Sequence, residues 1–203
     1  MIRHAQLLGN LQQHRTPDDG LSPLGYQQAD LIPAAFAGVP VSVIFCSPFR
    51  RTIETATPLA RAQGLRLTLV PELSEIFDAE ARRDHPWAPV SQIEANNPLV
   101  GFVPRQRRGD QWWPAWPERE EVEVRQRVQR FYDADIAPLI GTDAHVVVVG
   151  HGATVGQLKA LLDHGAAGGG HANAVIRAYE LDRECKVLSV RVITEHLAPL
   201  DQP

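Results

Sequence analysis

The chain has little cysteine: Cys46 and Cys185 are the only two in 203 residues. Two cysteines with no C-x-x-C spacing exclude a disulfide framework. Cys46 ends the apolar run Val43-Ile44-Phe45-Cys46 and reads as a buried free thiol. No apolar run is long enough to cross a membrane. No secretory leader is visible, because Arg3 and His4 follow the start almost at once. An excess of basic charge is also lacking. The net charge is -4 and the pI near 6.0, which argues against nucleic acid as the main partner. No internal repeat is present. The expectation is a cytoplasmic protein with neither membrane nor nucleic acid as partner, and a homodimer is left open.

Hydrophobic residues make up 44% and charged residues 22%, the ordinary balance of a globular protein. A chain of this length builds one domain with a sizeable core, or one with a large insertion. Residues 5–22 read as loop, with Gly9, Asn10, Pro17, Asp18, Asp19 and Gly20 as turn formers. Ser22-Pro23 reads as an N-cap followed by proline at the first helical position. Pro33 should end or kink that helix. Residues 41–46 form a buried strand. Ser47-Pro48 repeats the cap-and-proline device before a second helix that Gly64 closes, and residues 65–70 form the next strand. A helix is expected over 118–139, with Val124, Val128, Phe131 and Ile136 in its apolar stripe and its charges on a solvated face. Residues 144–149 follow as a strand, 153–163 as a helix, and 175–181 and 187–193 as two final strands.

Residues 77–117 differ in character. They hold Pro86, Pro89, Pro98, Pro104, Pro114 and Pro117, and all four tryptophans, Trp87, Trp112, Trp113 and Trp116. They also hold Arg82, Arg83, Arg105, Arg107 and Arg108. A structureless loop of this length is unusual in a compact domain. The expectation is a single domain, 1–203, with a lid-like insertion at about 77–117 that offers arginine to an anionic substrate.

Strands alternating with helices predict a three-layer α/β fold, a mostly parallel sheet flanked by helices on both faces. Two of its strands end in histidine: Met1-Ile2-Arg3-His4 and Val146-Val147-Val148-Val149-Gly150-His151. The first strand has only three residues to form it, so either it is very short or the natural chain begins upstream. In such sheets, ligands bind outside the carboxyl ends of the strands. Parallel neighbours would bring His4 and His151 together there, with Arg3, Arg50 and Arg51 close by and Glu75 after the third strand. Arginine donates a planar fork to phosphate, imidazole supplies a nitrogen nucleophile, and a carboxyl group can protonate a leaving oxygen. Arg50 by itself reads better as one half of a surface ion pair.

These residues resemble the histidine phosphatase, or phosphoglycerate mutase-like, superfamily. Arg3-His4-Ala5 is similar to its Arg-His-Gly signature, with Ala5 in place of glycine, and Asn10 falls at its phosphate-contacting asparagine. Leu21-Ser22-Pro23-Leu24-Gly25 with Gln28-Ala29 resembles its Leu-Thr/Ser-x-x-Gly-x-x-Gln-Ala segment. Ser47-Pro48-Phe49-Arg50-Arg51-Thr52-Ile53-Glu54-Thr55-Ala56 follows its Ser-Pro-x-x-Arg-x-x-x-Thr-Ala pattern, which singles out Arg51. Leu73-Ser74-Glu75 and Gly150-His151-Gly152 resemble its remaining two segments. The resemblance spans roughly residues 1–160 and implies a phosphoglycerate mutase-like fold.

It also implies phosphomonoester hydrolysis of a small phosphorylated molecule, with no metal and no cofactor. His4 would become a phosphohistidine. Arg3, Asn10, Arg51 and His151 would bind the phosphoryl group. Glu75 would be the proton donor, with Asp78 the alternative. The acidic Gly-x-x-Glu-Gly stretch of the family is absent after Glu75, which favours a phosphatase over a mutase. A catalytically weak phosphate-binding or regulatory protein is the third reading.

Overall fold

The computed structural model describes residues 1–11, 16–77, 85–114, 117–165 and 172–201. Strand β1, Ile2–Arg3, runs into the nucleophile candidate His4. Helix α1, Pro23–Leu31, begins where expected: Ser22 Oγ accepts the Gly25 N–H at 3.0 Å. Past Pro33 the chain continues as a 3-10 turn, Ile32–Phe36. β2, Val43–Cys46, leads to α2, Arg50–Gln63, which Gly64 ends in the left-handed conformation at φ 65°. β3 is Leu67–Leu69. Then come α3, Val90–Asn96, and β4, Val100–Phe102.

The long helix differs from a uniform α-helix. Its α-helical part, α4, is Arg125–Phe131, with π-helical turns Glu120–Val124 before it and Tyr132–Ile136 after it. β5, Val146–Gly150, is followed by α5, Gly152–Leu162, and then by β6, Ile176–Leu181, and β7, Val187–Ile193.

Among the described residues the strands form one seven-stranded sheet in the order β4-β3-β2-β5-β1-β6-β7. β1 to β5 are mutually parallel, while β6 and β7 add antiparallel pairs at one edge. Strand residues alternate between two cores, as a period of two requires. Ile44, Cys46, Val147 and Val149 face one core together with Ala56, Leu59 and Ala60 of α2. Phe45 and Val148 face the other, with Val124, Val128, Phe131 and Leu158. A sheet covered on both faces explains why its central strands are uniformly apolar. No helix among the described residues is long and apolar enough to cross a membrane.

Two features differ from the sequence expectation. Part of the 77–117 segment joins the sheet itself: β4 pairs with β3, Leu67 opposite Val100 and Leu69 opposite Phe102. Three residues among prolines are too short for a period of two to register. In addition, the helix over 120–139 is not charged only toward solvent. Arg127 is 3% exposed and forms a bidentate pair with buried Glu118, Nε to Oε1 at 2.9 Å.

Candidate active site

The carboxyl ends of β1, β2, β3 and β5 meet at one point because β5 lies between β1 and β2. Ile2 stands opposite Val149 and Arg3 opposite Gly150, so His4 and His151 leave adjacent strands at the same level. Their ring centroids lie 5.3 Å apart. Both are buried, His4 at 2% and His151 at 0% exposure.

The backbone determines the His4 tautomer. Nδ1 lies 2.8 Å from the Ala5 carbonyl oxygen. A carbonyl only accepts, so Nδ1 carries the hydrogen and Nε2 keeps its lone pair. Burial, with Arg51 and Arg3 adding to it, pushes the His4 pKa down to about 3. A neutral imidazole with an open nitrogen is the nucleophilic form. Ala5 is not among the residues with left-handed backbone, so alanine is accommodated there without strain. Its N–H donates to Thr55 Oγ1 at 2.9 Å, and Thr55 donates to the Arg51 carbonyl at 2.6 Å. Thr55 is thus placed one helical turn after Arg51 and holds the backbone next to His4.

The loop after His4 is held by α1. Ser22 N–H donates to the Gln6 carbonyl at 2.9 Å, and Gln6 N–H donates to Gln28 Oε1 at 2.9 Å. A Cβ on Gly25 would stand 2.0 Å from the Gln6 oxygen. Glycine at that position lets the helix approach the loop, which gives the Leu-Ser-x-x-Gly-x-x-Gln spacing a physical reason.

Arg51 is 4% exposed, and its Nη1 donates to the Pro17 carbonyl at 3.0 Å. Its guanidinium lies 4.5 Å from the centre of the Phe49 ring. Arg50 points outward and pairs with Glu54 at 2.7 Å, the surface ion pair expected of it. Helix α2 begins two residues later than the Ser47-Pro48 reading placed it. Ser47 therefore does not serve as its cap, and its Oγ instead lies 2.8 Å from His151 Nε2. Glu75 Oε2 lies 4.0 Å from His151 Nδ1, so the carboxylate stands on the same side of the crevice as the second histidine.

Phe49 is the hub of an aromatic cluster. Its ring meets His151 edge-on at 4.9 Å, Trp87 at 5.0 Å and Trp112 at 5.7 Å, and lies tilted against Phe77 at 5.8 Å. Each such pair contributes about 0.5–1.5 kcal/mol beyond area burial. Phe77, Trp87 and Trp112 of the 77–117 segment therefore pack against the wall of the site. Of its arginines, Arg105 is engaged elsewhere, with Glu72 at 3.0 Å and Asp135 at 2.8 Å. Arg82, Arg83 and Trp116, and the side chains of Arg107 and Arg108, lie outside the described residues. So do Asp78, the alternative acid, and the side chain of Asn10.

A family model for the histidine phosphatase superfamily (branch 1) matches residues 1–192. The chain belongs to the histidine phosphatase superfamily. It is 29% identical over 174 residues to the protein named "Putative phosphoserine phosphatase 2" of Hydrogenobacter thermophilus, covering 80% of this chain and 76% of that one. A mycobacterial glucosyl-3-phosphoglycerate phosphatase, solved with VO3, is 25% identical, covers 96% of both chains and gives a TM-score of 0.61. A phosphoserine phosphatase from Entamoeba histolytica, solved with 3-phosphoglyceric acid, has the same fold at 20% identity. It covers 97% of this chain and 96% of that one, with a TM-score of 0.62. The fold of this histidine phosphatase is thus the phosphoglycerate mutase-like one, and phosphatase activity is supported at the level of the superfamily.

Three residues near the site escaped pattern reading. Ser47 looked like a helix cap and is a partner of His151. Phe49 looked like a variable position and is the aromatic hub. Asp18 looked like a turn former; its Oδ1 accepts the Arg50 N–H at 2.8 Å, and burial pushes its pKa up to about 6. No local pattern marks any of the three, because each partner is distant in sequence. Cys46, in contrast, is the inert thiol expected, with burial raising its pKa.

The His4 environment carries a testable consequence. Free histidine titrates near 6.5, while His4 stays neutral until about pH 3. The unfolded chain therefore takes up a proton that the fold refuses. His4 contributes stability above about pH 6.5, and this is lost as pH falls toward the folded value. In the phosphate-free protein, the His4 ring signals in an NMR titration should stay fixed from about pH 8 to about pH 4. A midpoint near 6.5 would refute the buried neutral form.

Proposed function

We propose that this histidine phosphatase hydrolyses a phosphomonoester through a phosphohistidine on His4. The observation that carries the reading is the His4 ring: buried, neutral, with Nδ1 tied to Ala5 and Nε2 open. Arg3, Arg51 and His151 would hold the phosphoryl oxygens, with Asn10 assisting. Nε2 attacks phosphorus as the ester P–O bond breaks. Glu75 gives a proton to the leaving oxygen, then takes one from the water that attacks the phosphohistidine. That second attack frees inorganic phosphate and regenerates neutral His4.

The two guanidinium groups would supply the charge that a metal ion provides in other phosphatases, so activity should need no metal. The 77–117 segment would act as the lid that selects the alcohol half of the substrate. The relatives' names suggest a small organic phosphate such as phosphoserine or a phosphoglycerate ester.

The test uses para-nitrophenyl phosphate with and without a chelator, together with acid- and base-quenching of protein labelled with radioactive phosphate. Turnover should survive the chelator, and the label should resist base but not acid, as a phosphoramidate does. A metal requirement, or a base-labile label, would count against the reading.

A further inference from the structure

The Arg127 guanidinium makes more hydrogen bonds than an ion pair requires. Besides its two bonds to Glu118, Nη1 donates to the carbonyls of Glu72 at 2.6 Å and Ser74 at 2.7 Å. Nη2 also donates to the carbonyl of Glu75 at 3.2 Å. One planar group therefore holds three backbone oxygens of the loop that carries the acid candidate. Glu118 holds the next residues: its Oε2 accepts the Phe77 N–H at 3.1 Å, and its own N–H donates to the Phe77 carbonyl at 2.9 Å. Phe77 and Glu118 also stand at the two ends of the 77–117 segment, so this pairing closes its base.

We propose that the buried Glu118–Arg127 pair positions Glu75 and links it to the base of the lid segment. The proposal rests on the reading of Glu75 as general acid. Between residues 72 and 77, the carbonyls of 72, 74, 75 and 77 and the N–H of 77 are each bonded to one member of the pair. The Glu75 side chain is then held locally, Oε1 accepting the Ile76 N–H at 3.0 Å, and its other oxygen is left 4.0 Å from His151 Nδ1.

Packing alone would hold this loop, since Leu73 and Phe77 are fully buried within it. Buried ion pairs are commonly no more stabilising than apolar residues of similar volume. What the pair adds is direction: five N–H donors in one plane specify where each carbonyl lies. It also adds a route from the lid. Bonds run without a break from Phe77 to Glu118, from Glu118 to Arg127 and from Arg127 to the Glu75 carbonyl.

The test compares kcat/KM, which ends at the phosphorylation step, for an alkyl phosphate and an aryl phosphate, using the whole 203-residue chain. An aryl leaving group needs little protonation, so only the alkyl substrate reports on the acid. The ratio of the two rates does not depend on how much of the enzyme is folded. Arg127→Lys keeps the buried charge but lacks the fork that spans three carbonyls. Glu118→Gln is isosteric, keeps the Phe77 contact and serves if Arg127→Lys does not fold.

Either variant should lower the alkyl kcat/KM by about 10-fold or more, part of the roughly 10²–10⁴ that a general acid contributes, and leave the aryl kcat/KM within about 3-fold. Equal losses on both substrates, alongside a clear split for Glu75→Gln, would reduce the pair to a structural role and overturn the proposal. If Glu75→Gln itself shows no split, the acid is misassigned and the proposal falls with it.

Discussion

His4→Ala is expected to abolish turnover and phosphoryl labelling together. The loss should be at least about 10⁴-fold, because removing a nucleophile also removes the intermediate that depends on it. The geometry offers no replacement. His151, the neighbouring imidazole, has its Nε2 against Ser47 and its Nδ1 toward Glu75. The measurements are steady-state turnover of para-nitrophenyl phosphate and incorporation of labelled phosphate into the protein, with a thermal unfolding curve as control. His4 is buried, so some loss of melting temperature is expected as well. A purely structural histidine would show that thermal change alone, with turnover per folded molecule intact. Such a result would sink the phosphohistidine reading.

Glu75→Gln should show the second-largest effect, and its size should depend on the substrate. A general acid contributes roughly 10²–10⁴ in rate. With an alkyl phosphate the variant should lose about that much, since the alkoxide leaves poorly without a proton. With an aryl phosphate the loss should be far smaller in the phosphorylation step, because the phenolate leaves unaided. The carboxylate lies 4.0 Å from His151 Nδ1, on the same side of the crevice as the second histidine. Asp78→Asn is the comparison variant. Should Asp78→Asn reproduce the substrate dependence while Glu75→Gln leaves both rates alone, the acid is Asp78.

Of the five arginines in 77–117, Arg105 is the one whose side chain lies among the described residues. Together the five suggested a basic rim. Arg105 is instead engaged by Glu72 and Asp135. What the segment brings to the site wall is aromatic: Trp87 and Trp112 are buried on Phe49, and Phe49 touches both His151 and Arg51. Composition announced arginines and tryptophans together but held no signal for which of them would turn inward.

What the sequence determined by itself lies where the information is local. A cap at Ser22, a stop at Gly64 and apolar runs ending at His4 and His151 are each written in adjacent residues. Once the strands are parallel, chain geometry alone brings the two histidines to one edge, and Arg51 follows from the strand-to-helix turn that precedes it. The tertiary structure decided the rest because those contacts span the chain. Ser47 meets His151 across 104 positions, and Arg127 reaches Glu75 across 52. On a helix rich in Glu, Arg and Gln, no periodicity marks one arginine for burial. Only the arrival of Glu118 and of the carbonyls at 72, 74 and 75 around it makes that position dry, and a charge in a dry position must be fully partnered.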